Sequence, residues 1–344
     1  MPKITSVLFV GSSGLSSTEE TIRTFCTALP DSLRRLPDGE TGHRYYFVTW
    51  QHELLQKCCP ALLKERLRPA GLSSPSDEQI AGALSALGSF ATEYDRFALE
   101  SYEVFRDLKR QNVIPAKVRF QVCIPTPLSL LSTAIDDKYT AAAEPLYEAA
   151  LLRAVRAIQA AVPTSELAIQ WDAPMEFAML EGIDFGARSW VGNSLLDCIV
   201  ERLVRIGDAV NADVELGFHL CYGDREHKHF LEPTDMGHMV DVADGVLTKA
   251  GRHVDWIHMP VPKNRSDDQY FMPLEQLAKT LSKTKTELVL GLIHYDDLGG
   301  TRKRIRAAGK FVPSFGVGTE CGLGRTPAEH LRSILDVSAA VSKL

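Results

Sequence analysis

The chain has 344 residues, of which 45% are hydrophobic and 24% are charged, the balance of an ordinary soluble globular protein. A formal net charge of −6 offers no basic surface, so the sequence excludes nucleic acid and anionic membranes as partners. Seven scattered cysteines do not form a disulfide framework, and the first apolar run, which stops at Gly11, is too short to span a bilayer and precedes no cleavage site. These features predict a reducing compartment, most simply the cytoplasm.

Eight short apolar runs rich in β-branched residues predict β-strands. The predicted strands are 4–10, 32–36, 117–123, 167–171, 214–220, 254–258, 287–294 and 311–317. Helical patterns separate most of these runs. The predicted helices are 18–29, 47–57, 93–110, 140–161, 194–210, 234–250, 273–283 and 327–341.

Alternating strands and helices imply parallel strands joined by crossover helices. Eight such units predict an α/β fold, a single (β/α)8 TIM barrel that spans residues 1–344. A doubly wound open sheet is the competing architecture. The longest connection, residues of about 45 to 116, is interpreted as a helical insertion after the second strand, with a loop near 69–77 where Pro, Gly and Ser accumulate.

The most informative stretch is Phe218-His219-Leu220-Cys221, at the end of the fifth predicted strand. Residues two apart on a strand project to the same face, so the imidazole of His219 and the sulfur of Cys221 point at one spot. Cys321 follows the eighth strand and could supply a third ligand. Imidazole and thiolate are good zinc ligands. The alternative interpretation is a core histidine with two inert buried thiols.

Polar residues also follow most of the other predicted strands. In a barrel, these strand ends lie at the face that carries the active site. They are Ser12, Ser13, Asp38, Glu40, Cys123, Asp172, His258, His294, Asp296 and Glu320. The run Arg-Glu-His-Lys-His at 225–229 is interpreted as a solvated loop rather than a metal site.

Four of these motifs fall in a recognisable order. They are Asp38-Gly39-Glu40 with Arg44, the hexapeptide Ile-Gln-Trp-Asp-Ala-Pro at 169–174, His219-Leu220-Cys221-Tyr222, and Cys321-Gly322-Leu323 with Arg325. Together they resemble the C-terminal catalytic half of cobalamin-independent methionine synthase, which shares one barrel superfamily with uroporphyrinogen decarboxylase. The resemblance spans nearly the whole chain, from Gly11 to Arg325.

The resemblance implies that zinc is the cofactor and that His219, Cys221 and Cys321 are its ligands. It assigns the amino group of an amino-acid thiol to Glu40 and Asp172, and the carboxylate of that thiol to Ser12 or Ser13. The implied activity is zinc-dependent methyl or alkyl transfer to a small thiol, like that of the 5-methyltetrahydropteroyltriglutamate–homocysteine methyltransferases. A small-molecule thiol is the expected partner, and the oligomeric state is left open.

The chain also departs from the family pattern. The fourth zinc ligand of the family falls near Pro260, which cannot bind a metal, so His258, Glu320 or an open position remain as alternatives. The aspartate–histidine pair that follows the seventh strand in the family corresponds here to His294 and Asp296, in swapped order. Residues 125–129 lack the tryptophan expected to pack against folate. We therefore expect an altered donor or acceptor.

Two further functions compete with thiol alkylation. One is a metal-dependent lyase, decarboxylase or hydrolase acting on a small acid, in which His294, Asp296 and His258 do the proton chemistry. The other is a barrel that retains only binding. The metal-dependent enzyme would turn over its substrate without any thiol, and the binding protein would carry no metal.

Overall fold

The computed structural model describes residues 1–72, 74–183, 194–223 and 228–344. All eight predicted strands are present, displaced from their predicted ends by up to three residues. The strands are β1 (Lys3–Leu8), β2 (Arg35–Pro37), β3 (Arg119–Pro125), β4 (Leu167–Ala173), β5 (Glu215–Leu220), β6 (Trp256–Pro260), β7 (Glu287–Ile293) and β8 (Ser314–Thr319).

These strands form one parallel sheet in the order β1-β8-β7-β6-β5-β4-β3-β2. The sheet curls until its two edge strands meet, where Val7 of β1 forms a parallel bridge with Leu33 just before β2. The Val7 N–H also donates to the carbonyl of Ser32, at 2.9 Å. The fold class predicted from the sequence, a (β/α)8 barrel, is therefore confirmed, and the open doubly wound sheet is excluded.

Thirteen α-helices lie in the described part of the chain. They are α1 (Thr18–Ala28), α2 (Trp50–Cys58), α3 (Asp77–Gly88), α4 (Tyr94–Arg110), α5 (Pro127–Ala134), α6 (Thr140–Ala161), α7 (Pro174–Leu180), α8 (Leu195–Asp208), α9 (Gly237–Lys249), α10 (Asp268–Phe271), α11 (Leu274–Thr284), α12 (Leu298–Ala308) and α13 (Ala328–Val341). Within the described residues, no helix combines the length and apolar character needed to cross a membrane.

Local capping sets several helix starts. The side chain of Ser17 accepts from the Glu20 N–H at the start of α1, and Ser76 forms a reciprocal capping box with Gln79 at the start of α3. Helix α12 lies between β7 and β8, where no helix is predicted from the sequence. Gly299 and Gly300 weaken its pattern, but the Asp297 side chain accepts from the Gly300 N–H and starts the helix.

The connection between β2 and β3 holds helices α2, α3 and α4. Its apolar residues, such as Leu55 and Leu87, belong to the same buried cluster as barrel residues such as Ile124 and Leu167. This connection therefore packs on the barrel and shares its core.

The bottom of the barrel, at the N-terminal ends of the strands, is filled by charged and aromatic side chains. The Arg35 guanidinium lies 4.0 Å from the ring centroid of Trp256 and contacts Glu215 at 2.5 Å and Glu287 at 3.3 Å. The Trp256 indole fits because residue 217 is glycine, where a Cβ atom would lie 2.0 Å from the indole. The interior is thus plugged below the strand ends that carry the candidate site.

Candidate functional site

His219, Cys221 and Cys321 converge at the C-terminal mouth of the barrel. One ligand atom from each lies within 4.8 Å of the others. The two sulfurs are 3.6 Å apart. Two sulfurs bound to one tetrahedral zinc at about 2.3 Å each would lie about 3.8 Å apart, so this spacing suits such a site. We call these three residues the thiol–imidazole cluster.

A second histidine supports this cluster from the neighbouring strand. His219 on β5 pairs in register with His258 on β6, and their Nδ1 atoms are 2.7 Å apart. Burial lowers the pKa of both imidazoles, that of His258 to about 3, with the Thr319 backbone opposing the shift at His258. Both rings are therefore neutral, and one Nδ1 donates to the other.

The Nε2 atoms of both imidazoles are buried and have no hydrogen-bond partner among the described residues. If His219 donates from Nδ1 to His258, its Nε2 carries a lone pair, as a metal ligand requires. His258 would then carry its proton on Nε2. His258 thus orients the candidate ligand His219.

The cysteine environment matches the same chemistry. A hydrogen bond to Cys321 and burial hold the pKa of Cys221 well above its usual value, although the Gly223 N–H, 3.2 Å from the Cys221 sulfur, opposes the shift. Two thiols at contact distance cannot both ionise without a compensating positive charge. A soft divalent cation would supply that charge.

A group of acidic residues lies beside the thiol–imidazole cluster. Glu40, Cys123 and Asp172 bring one ligand-type atom each within 4.8 Å of the others, and we call them the acidic pocket. Asp172 on β4 is the register partner of His219. Burial raises the pKa of Asp172 well above its usual value, and the charge of Glu40 and the sulfur of Cys321 add to the shift.

Glu40 is held by an unusual turn. Its φ is +44°, a left-handed conformation for a residue other than glycine, and its N–H donates to Asp38 Oδ1 at 2.8 Å. Burial and the charge of Asp38 raise the pKa of Glu40 to about 7, against the opposing charges of Arg44 and Arg325. Strain of this kind is found where neighbouring structure fixes a functional side chain.

The β2–β3 connection provides the partners of Asp38. Arg44 Nη2 and the Ser101 hydroxyl both donate to Asp38 Oδ2, each at 2.8 Å. Tyr94, at the start of α4, is buried, and burial raises its pKa, with the charges of Glu40 and Asp172 adding to the shift. The sequence did not indicate Ser101 or Tyr94, because nothing in a helical pattern shows that its first turns face a distant strand end.

Ser12 and Ser13 lie in the loop after β1, and each hydroxyl oxygen accepts a hydrogen bond from a backbone N–H. The Ser12 Oγ accepts from the Gly324 N–H at 3.1 Å. The Ser13 Oγ lies 2.8 Å from Thr21 Oγ1 and accepts from the Leu15 N–H at 3.2 Å. Both serines therefore fix loops at the barrel mouth.

His294 is buried beside Glu320. Its Nε2 lies 3.0 Å from the Val261 carbonyl, which can only accept, and its Nδ1 lies 3.4 Å from Glu320 Oε2. This second contact is attractive only when a proton lies between the two atoms. Burial and the charge of Arg304 lower the pKa of His294 to about 3, against the hydrogen bond to the Val261 carbonyl and the charge of Asp297. By geometry, His294 and Glu320 form a proton-holding pair.

Asp296 is not part of this pair. It is exposed, and its N–H donates to the Ser333 hydroxyl. The other oxygen of Glu320 lies 3.2 Å from Nε2 of His229, whose side chain is only 5% exposed. The interpretation of 225–229 as a solvated loop was wrong for His229. A run of charged residues in a sequence does not show that one of them has a buried partner. Residues 225–227 lie outside the described residues.

A further buried acid lies in the helix that directly follows β4. Glu176, in the short helix α7, is 2% exposed, and burial raises its pKa to about 7, against a hydrogen bond to Thr126. Its Oε2 has no partner among the described residues. The apolar residues around Glu176 in sequence gave no signal of a functional group.

Comparison with solved structures shows the fold. A B12-independent methionine synthase from Shewanella sp. W3-18-1, solved with selenomethionine, superposes with a TM-score of 0.55 at 12% identity, covering 99% of this chain and 95% of that one. The chain has a methionine synthase-like barrel fold. A structure assigned as a vitamin-B12-independent methionine synthase from Listeria monocytogenes gives a TM-score of 0.49 at 16% identity, covering 94% of this chain and 86% of that one. Neither a protein-family model nor a curated protein sequence matches the chain.

The donor set of the methionine synthase-like barrel fits zinc. Two thiols and one imidazole with an unpartnered nitrogen form a sulfur- and nitrogen-rich environment. Such an environment suits zinc better than magnesium or calcium. His258 uses Nδ1 on His219 and so serves as a hydrogen-bond partner in this arrangement. The fourth corner is left to a substrate or to Glu320, the residue before Cys321.

Proposed function

We propose that this protein transfers a methyl or other alkyl group to a small thiol, with zinc held by His219, Cys221 and Cys321. The observation that carries the proposal is the pair of sulfurs at 3.6 Å, next to a buried imidazole nitrogen without a partner. When bound, zinc lowers the pKa of a coordinating thiol, so that the sulfur is nucleophilic at neutral pH.

The chain's own residues supply orientation and proton control. His258 holds the ring of His219 in one tautomer. Glu40 and Asp172 hold the part of the acceptor that extends away from its sulfur. In the transfer, the acceptor sulfur forms a bond to the alkyl carbon, and the electron pair of the broken bond leaves with the donor. His294, paired with Glu320, would hold a proton for that leaving group.

The proposal is tested by measuring zinc and its sulfur neighbours. Purified protein should contain about one zinc per chain. X-ray absorption at the zinc edge should show two sulfur neighbours before homocysteine is added and three afterwards. Protein that binds no zinc, or whose zinc keeps the same neighbours when a thiol is added, would contradict the proposal.

A second function is favoured by one specific arrangement. His229 and His294 flank the two oxygens of Glu320, at 3.2 and 3.4 Å, a cluster suited to moving protons. Such a cluster would serve a metal-dependent lyase, decarboxylase or hydrolase acting on a small acid. Turnover of a small acid in the absence of any thiol would favour this function.

A further inference from the structure

We infer that Arg325 is a positioning residue that ties residues 42–46, which we call the strap, to the loop carrying Cys321. A metal ion bound at Cys321 then also orders the segment that follows Glu40. The strap comes after β2 and the Cys321 loop comes after β8, and these two strands lie on either side of β1. The metal part of this inference rests on the proposed function.

The strap lies at the surface of the barrel mouth. It is a short 3-10 helix, Gly42–Tyr46, in which no residue is buried, and the Tyr45 side chain is 44% exposed. Its beginning packs on α4, where the ring of His43 meets the ring of Phe97 edge-on, with the centroids 5.3 Å apart. The first half of the strap is therefore anchored by ring packing, whereas Tyr45 is open to solvent.

The backbone on both sides of the strap is strained. Glu40 before it and Phe47 after it have φ angles of +44° and +50°. This left-handed region is uncommon for residues other than glycine, and least so tolerated for a bulky ring. Such conformations persist only where surrounding contacts hold them. The strap therefore needs a contact that keeps it in place.

Arg325 supplies such a contact from the loop after β8. Its Nη1 donates to the Tyr45 carbonyl at 2.8 Å, and its guanidinium carbon lies 6.0 Å from the centroid of the Tyr46 ring. A hydrogen bond from a charged donor is among the stronger ones, and a cation over an aromatic ring adds to it. Arg325 therefore holds the second half of the strap.

The loop that carries Arg325 is fixed in its middle. The Leu323 N–H donates to the Ser12 carbonyl at 2.6 Å, and the Gly324 N–H donates to the Ser12 hydroxyl at 3.1 Å. Cys321, at the start of the loop, is only half-buried. A metal ion bound to the Cys321 sulfur would fix this remaining end. Metal binding would then restrict the whole loop, including the guanidinium that holds the strap.

Order in the strap reaches the acidic pocket through Asp38. Arg44, within the strap, donates to Asp38 Oδ2 at 2.8 Å, and Asp38 Oδ1 accepts from the Glu40 N–H at 2.8 Å. Burial raises the pKa of Glu40 to about 7, and the charge of Arg325 opposes this rise. The two ends of the candidate site, at β8 and β2, are thus joined by one chain of contacts.

The test measures backbone hydrogen exchange of residues 42–49 by mass spectrometry, in metal-free and in zinc-loaded protein. In the parent, zinc should slow this exchange by at least about fivefold, the lower end of the usual coupling between two sites. Arg325→Met keeps an unbranched side chain but has no donor, so it should abolish the effect of zinc on this segment while zinc content is unchanged. Arg325→Lys retains a charged donor and should keep part of the effect.

A general loss of stability would give a different pattern. In metal-free Arg325→Met, we expect exchange to become about tenfold faster, the effect of losing one hydrogen bond from a charged donor. This change should be confined to residues 42–49, because local opening involves only the segment that loses its contact. Faster exchange throughout the chain would instead mean that Arg325 only stabilises the fold, and would overturn the inference. Arg332→Met, at an exposed arginine of α13, is the matched control and should exchange like the parent.

The outcomes separate the inference from the proposed function. If the protein binds no zinc, the proposed function fails, and the metal-free exchange decides whether Arg325 holds the strap. If zinc binds but slows exchange of residues 42–49 equally in the parent and in Arg325→Met, or in neither, the proposed function stands and the inference is overturned. Equal exchange of this segment in the two metal-free proteins overturns the inference whether or not zinc binds.

Discussion

The imidazoles of His219 and His258 meet Nδ1 to Nδ1, at 2.7 Å, across two paired strands of the barrel. Because one nitrogen must donate and the other must accept, the pair has one proton between the two facing atoms. From its position on the strand and its residue type alone, His258 could equally be a metal ligand. This contact instead makes it the hydrogen-bond partner of the candidate ligand His219. His258 controls which nitrogen of His219 is available.

We predict that His258→Leu weakens zinc binding by about 10- to 100-fold, the usual effect of losing the hydrogen-bond partner of a ligand. The number of nitrogen and sulfur neighbours seen by X-ray absorption should be unchanged in zinc-saturated variant protein. If a nitrogen neighbour is lost, His258 is itself a ligand. His253→Leu, at an exposed histidine, serves as the control.

We predict that Cys321→Ser weakens zinc binding by more than the 10- to 100-fold typical of a partner residue, because it removes a direct sulfur ligand. Competition with a chelator of known affinity measures the change. Cys198→Ser, on α8 and half-buried, removes a thiol without touching the cluster and should bind zinc like the parent. Equal zinc affinity in the two variants would mean that the site is misplaced.

The buried carboxyl group of Glu176 should make the stability of the fold depend on pH. Its folded pKa is about 7, above the usual carboxyl value of 4.5, so the folded state binds the proton more tightly than the unfolded state. The free energy of unfolding should therefore fall as pH rises from about 4.5 to about 7, by an amount on the order of 3 kcal/mol from this group.

Glu176→Gln should remove this contribution. The variant should be more stable than the parent at pH 8 and similar to it at pH 4, measured by urea unfolding at both pH values. Glu100→Gln, at an exposed carboxylate, should show no such difference. If the stabilities of the parent and the Glu176→Gln variant change in parallel with pH, Glu176 is not the source of the pH dependence.

The close packing of Gly217 against Trp256 leaves no room for a side chain at position 217. A Cβ atom at this position would lie 2.0 Å from the Trp256 indole, so Gly217→Ala forces the indole or the strand to move. We expect a loss of about 1–3 kcal/mol or more in the free energy of unfolding. Gly299→Ala, in α12 with nothing within 4 Å, is the control and should gain about 0.5–1 kcal/mol. If both variants are equally stable, the interior is looser than the structure shows.

The sequence predicted the barrel because apolar periodicity is a local signal. Helix α6 begins and ends where its alanine-rich pattern does, and β4 and β7 begin where their apolar runs do. The spacing of His219 and Cys221 placed both on one face of a strand, and the position of Cys321 after β8 brought it to the same end. These inferences need only the period of a strand and the closure of a barrel.

Other parts of the site depend on contacts between distant elements. Ser101 reaches Asp38 from the middle of a helix, and His229 reaches Glu320 from a loop that reads as solvated. The engaged hydroxyls of Ser12 and Ser13 also depend on where two loops meet. Local sequence patterns do not predict such contacts, because each partner by itself has the sequence context of an ordinary surface residue.

Within the described residues, the stack of Arg35 on Trp256 closes the lower end of the barrel. Under the proposed function, donor and acceptor would therefore enter, and both products would leave, through the upper mouth. The thiol–imidazole cluster lies at the ends of β5 and β8. A donor would approach from above these ends and, once bound, would block the path of the thiol. The expected kinetic order is thiol first and donor second, with the alkylated thiol released last.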